Sequence, residues 1–138
     1  MTNNKIHTYI SAGELIDKIT ILEIKIQKIS DRDKLFNIIT ELNELYKVYI
    51  KDIHSTKKTF SQIKELCKHT EDLRSINETL WNIEDDIRIK EKEKKFDKGF
   101  IDLARSVYKT NDKRFDLKNK INKIFNSHIK EVKSYEEY

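Results

Sequence analysis

The sequence contains no proline, two glycines, one cysteine, one methionine and one tryptophan in 138 residues. With so little turn punctuation, the chain should be mostly helix joined by short polar connections. The single cysteine excludes an intramolecular disulfide and fits a reducing compartment. His7, His54, His69 and His128 are scattered, and Cys67 and His69 lack a second ligand pair, so zinc-site spacing is absent. There is no Gly-rich phosphate loop and no HExxH, and no Glu-x-x-His of the di-iron bundles. No stretch approaches the ~18–20 apolar residues of a membrane span. The opening "MTNNKIHTYI" lacks an apolar core of signal-peptide length. The expected location is the cytoplasm.

Neither sign of charge dominates. Lysine and arginine total 28 against 24 acids, a net charge of +4, and charged residues make up 38% of the chain. Signs this interspersed indicate solvated helix faces. A phosphate-rich partner is permitted but not required. Lys57, Lys58, Lys118, Lys120 and Lys123 alternate with acids and form no aromatic-plus-basic motif, so nucleic acid is not an expected partner. The length suits one domain, 1–138, with a modest core.

What is present is helical periodicity. Ser11 followed by Glu14 is a candidate capping box. Leu15, Ile19, Leu22, Ile26 and Ile29 then form a buried stripe. Ile16, Ile21 and Ile24 lie off it, so this helix should contact two neighbours or another subunit. "SDRD" (30–33) ends it and caps a second helix carrying Leu35, Ile38, Ile39, Leu42, Leu45, Tyr46 and Tyr49. Residues 54–61 read as a loop. A long third helix spans about 62–93, with Leu66, Leu73, Leu80 and Ile87 recurring every seven residues. A charge run at 90–99 should fray it. A fourth helix follows, with Phe100, Ile101, Ala104, Val107 and Tyr108 inward. "TND" should end it, and Asn111 or Asp112 should cap a fifth helix with Phe115, Leu117, Ile121, Ile124 and Phe125. The expected fold is all-α, an antiparallel bundle of four to five helices with one long central helix. Cys67 reads as a small core residue.

On the third helix Asn77, Glu84, Arg88 and Glu91 share one sector, with Trp81 beside it, at about 100° per residue. They bound the apolar stripe of Leu80, Ile83 and Ile87. Two readings stay open. Glu84 and Arg88 form an exposed ion pair, or the sector joins a charged network with Arg105, Asp112 and Arg114. A fifth-helix N-terminus at Asn111 and Asp112, with Arg114 and Lys118 one turn apart, suits an anionic ligand. Tyr108 lies beside this group. Glu14, Lys18 and Lys25 read as a surface ladder with Asp17 close by, though contact with the third helix remains open. Mg²⁺ is the one cofactor left open. Glu41 and Glu44 would meet Glu84, Glu91 or Asp112, as in helical nucleotide pyrophosphohydrolases, although no ExxD follows the ExxE. "ELIDKIT" is similar to the start of chorismate-mutase-like bundles, but this helix lacks their arginines.

Taken together, "GELIDKITILE", "LWNIEDDIR", "FIDLARSVYKTNDKR" and "KSYEEY" resemble an uncharacterised family of small helical bacterial and viral proteins. The resemblance implies a self-contained domain, with some members associated with glycan-biosynthesis enzymes, and carries no catalytic residues. The reading reached is an accessory or binding module that self-associates or docks a protein partner. The alternative is a small-molecule or nucleotide-binding enzyme with a charged inter-helix pocket.

Overall fold

The computed structural model describes residues 4–138; Met1–Asn3 of the opening segment lie outside the described residues. The described chain forms four α-helices: α1 (Ala12–Lys28), α2 (Arg32–Tyr49), α3 (Phe60–Lys92) and α4 (Lys98–Phe125). A π-helical turn, Ile50–His54, follows α2. Each start is fixed by a side-chain cap. Ser11, Asp31, Thr59 and Asp97 accept from the backbone N–H three residues on. The reciprocal capping box is at Thr59 and Gln62, not at Ser11 and Glu14. The Glu14 carboxylate turns instead to lysines. The loop read at 54–61 therefore shrinks to the few residues between the π-turn and the Thr59 cap. The charge run after α3 does turn the chain, through a left-handed Lys94.

The fifth helix does not exist as a separate element. α4 runs unbroken through "TND", and Thr110 is buried within it. Thr, Asn and Asp are weak helix formers, but Leu117 and Ile121 must stay in register with Leu73 and Ile16. That packing outweighs a local propensity cost of about 0.7 kcal/mol per residue at most. Asn111 and Asp112 are thus mid-helix, and no helix N-terminus is available there for an anion.

α1 is the central element and packs against all three other helices. Leu15, Ile19 and Leu22 face Leu42 and Ile53 in one cluster. Ile16 faces Leu73, Leu117 and Ile121 in another. Ile16 and Ile24, two of the three off-stripe isoleucines, are therefore buried within one chain. Three further inward assignments are corrected. Ile101 and Tyr108 are exposed on α4, and Cys67 is exposed on α3. Among the described residues, no helix is long and apolar enough to cross a membrane.

Candidate functional site

Gly13 sets the distance between α1 and α4. A Cβ at this position would stand 2.4 Å from the Lys118 carbonyl oxygen and 2.8 Å from Asn122 Oδ1. Only glycine permits that approach, and it brings the Gly13 N–H to 2.7 Å from Asn122 Oδ1, to which it donates. The helices run antiparallel, so one turn later Asp17 meets Arg114.

Asp17 is 1% exposed. Arg114 grips it with two donors: Nε donates to Oδ1 at 2.9 Å, and Nη2 donates to Oδ2. Asn77 Nδ2 donates to the same Oδ1 at 2.9 Å and to Thr20 Oγ1 at 2.9 Å. Thr20 Oγ1 in turn donates to the Asp17 carbonyl. An unpaired buried carboxylate would cost several kcal/mol, but this one is satisfied from two other helices. The hydrogen bond to Asp17 raises the Arg114 pKa against the opposing effect of burial, helped by the charges of Asp17, Glu14 and Glu131.

Lys118 continues the seam. It is buried, and Nζ lies 2.7 Å from both Glu14 and Glu131. Burial pulls its pKa down, but the bonds to Glu131 and Glu14 outweigh that and hold it above the ordinary lysine value. Glu14 is therefore more than a member of a surface ladder, and Asp17 is not on the surface at all.

Beside this network lies a cleft of about 440 Å³. Ile21 of α1 and Arg114 of α4 form two of its sides, and Asn77, Leu80, Trp81, Glu84, Asp85 and Arg88 of α3 form the rest. Arg114 carries five N–H donors. Asp17 engages those of Nε and one of Nη2, and the side chain remains 29% exposed. Arg88 and Glu84 pair at 3.3 Å with side chains 77% and 47% exposed, so both stand at the rim within reach of solvent.

The residues expected to converge thus divide into groups. Asn77, Trp81, Glu84, Arg88 and Arg114 come together at the cleft. Lys118 belongs to the seam beneath. Glu91 pairs with Lys94 on the exposed end of α3, and Arg105 is exposed on α4; neither lines the cleft. Tyr108 and Asp112 line a different cavity under the C-terminal segment. The acids considered for Mg²⁺ are dispersed. Glu41 is exposed, Glu44 pairs with Lys5 and Lys47, Glu84 pairs with Arg88 on its own helix, and Glu91 pairs with Lys94 in the turn after α3. Among the described residues, no three Asp, Glu, His or Cys side chains gather as metal ligands.

The residue that organises the site, Asp17, had two visible signals. It is an acid set between Ile16 and Ile19 on a helix apolar on several faces, where a charge must find a buried partner. Gly13 was the second signal, a glycine inside a helix with no turn to explain it.

No curated protein and no solved structure matches the chain significantly. A family model does match, over residues 6–138. The chain belongs to this family, DUF6165, a family of unknown function.

Proposed function

We propose that the protein binds a small anionic molecule, phosphate- or carboxylate-bearing, in the cleft between α1, α3 and α4. The observation that supports this reading is Arg114, clamped by a buried carboxylate while its remaining donors border solvent. A guanidinium fixed in advance loses little freedom when it takes an anion. Arg88 supplies a second cation at the rim, Trp81 a flat apolar wall, and Glu84 and Asp85 acceptors for ligand hydroxyls. Nucleotides and sugar nucleotides have this chemistry, and the latter suit the glycan-enzyme association that the family resemblance implies. A Mg²⁺-dependent pyrophosphohydrolase is less favoured, because it needs a gathered set of carboxylates.

Trp81 is the single tryptophan, so its emission reports on the cleft directly. Titration with a panel of nucleotides, sugar nucleotides and dicarboxylates should give a saturable change with at least one class. Arg88→Ala, at an exposed position, should weaken that binding by about tenfold, the scale of one charge-assisted hydrogen bond. A panel that leaves the emission unchanged, or binding indifferent to Arg88, would refute the reading.

A second reading, a cytoplasmic accessory module that self-associates or docks a partner, is favoured by a different surface. α2 buries only Leu42, while Phe36 is 72% and Ile39 44% exposed on its outer side. Sedimentation of the wild type and of Phe36→Ser across a concentration series tests the self-associating form. That form predicts an oligomer that the substitution dissolves, and a concentration-independent monomer would contradict it.

A further inference from the structure

α4 ends at Asn126, whose left-handed backbone (φ 47°) reverses the chain. The segment beyond returns along α4 as a strap without regular structure. Glu131 joins Lys118. The Lys133 ammonium sits 5.1 Å from the ring centre of Phe115 and 6.0 Å from that of Tyr135. Further along, the Tyr138 hydroxyl donates to Asp112, and its ring meets Tyr108 edge-on at 5.3 Å.

Between strap and helix lies a cavity of about 760 Å³. It draws Val107, Tyr108 and Asp112 from α4, and Tyr135, Tyr138 and two acids, Glu136 and Glu137, from the strap. Its charge is opposite in sign to that of the whole chain. Its lining residues include three acids, Asp112, Glu136 and Glu137, and one lysine, Lys133, a formal excess of two negative charges, whereas the protein carries +4. Its lining includes three tyrosines, Tyr108, Tyr135 and Tyr138, and aromatic rings attract cations through their quadrupole. The chain's own Lys133 already uses that attraction at this place.

We propose that this cavity binds a linear aliphatic diamine. The two ammonium groups match the two uncompensated negative charges. The methylene stem fits the walls offered by Val107 and the tyrosine rings. Glu136 and Glu137 take one ammonium, while the second lies between Asp112 and the ring faces. The site is independent of the anion cleft, since the residues that line the two are different.

The test uses the full chain with 1,4-diaminobutane, n-butylamine and MgCl2 at matched ionic strength, followed by calorimetry and by the tyrosine ring signals in NMR. The diamine should bind saturably and shift the tyrosine resonances, and the monoamine should bind about tenfold more weakly for want of its second charge-assisted contact. The double substitution Glu136→Gln with Glu137→Gln, at two exposed positions, should weaken diamine binding by a similar factor. Diamine binding no stronger than that of the monoamine would overturn the proposal. So would binding unchanged by the double substitution, or Mg²⁺ taking the site in preference to the diamine.

Discussion

Two arginine–carboxylate pairs lie within reach of one cleft and behave as opposites. Arg114 and Asp17 come from different helices, form a two-donor fork, and leave the carboxylate 1% exposed. Arg88 and Glu84 are one turn apart on α3, joined at 3.3 Å with both side chains in solvent. Both join a guanidinium to a carboxylate. What differs is whether the partner sits on another element. A pair across helices is fixed by the fold and becomes part of it, whereas a pair within one exposed turn is worth ~0.2–0.5 kcal/mol and can be given up to a ligand.

That contrast can be broken most severely at Asp17. Asp17→Ala leaves one Asn77 N–H without its acceptor and removes the clamp on Arg114, and should cost about 3 kcal/mol or more in urea unfolding. Gly13→Ala attacks the same seam sterically. Better helix propensity returns about 1 kcal/mol, but overpacking against the Lys118 backbone costs about 1–3 kcal/mol. A Cβ 2.4 Å from a carbonyl oxygen makes the sum destabilising, measurable as a lowered Tm.

Glu131→Gln sharpens the comparison at intermediate strength. It removes one of two carboxylates from the buried Lys118 ammonium and should cost about 1 kcal/mol, with faster amide exchange along the strap. Arg88→Ala, on the exposed pair, should change stability by less than about 0.5 kcal/mol while still weakening the cleft ligand. A last, purely local change is alkaline. The hydrogen bond to Asp112 pushes the Tyr138 pKa up to about 12. The folded value lies above the ordinary 10, so the contact is complete below pH 10 and lost as pH rises through about 12. Ultraviolet tyrosinate absorbance should show this one phenol ionising last.

Much of the fold was legible in the sequence, because long helices announce themselves by spacing. The caps at Ser11 and within residues 30–33, the α3 repeat and the breadth of the α1 apolar face are all local patterns, whereas the caps at Thr59 and Asp97 were not picked out. The break at "TND" was not real, since three weak helix formers are carried by the contacts of Leu117 and Ile121 with α1 and α3. Periodicity alone also could not tell that Ile16 faces α3 and α4, or that Ile24 is buried within the one chain, rather than against another subunit. Of the candidate site, Asn77, Trp81, Glu84, Arg88 and Arg114 were nameable, since four share one face of α3. Asp17 as the hub was not, because its role depends on the angle at which α1 crosses two other helices. Tyr108 and Asp112 were assigned to the anion site on the strength of a helix start that α4 does not have.

The most direct test of the contrast is a pair of double-mutant cycles read by chemical denaturation, one on Asp17 and Arg114 and one on Glu84 and Arg88. The seam pair should couple by about 2 kcal/mol, and the rim pair by less than about 0.5 kcal/mol. A seam coupling as small as that of the rim would mean that Arg114 is not held in place by Asp17, and the case for a preformed anion site would fall with it.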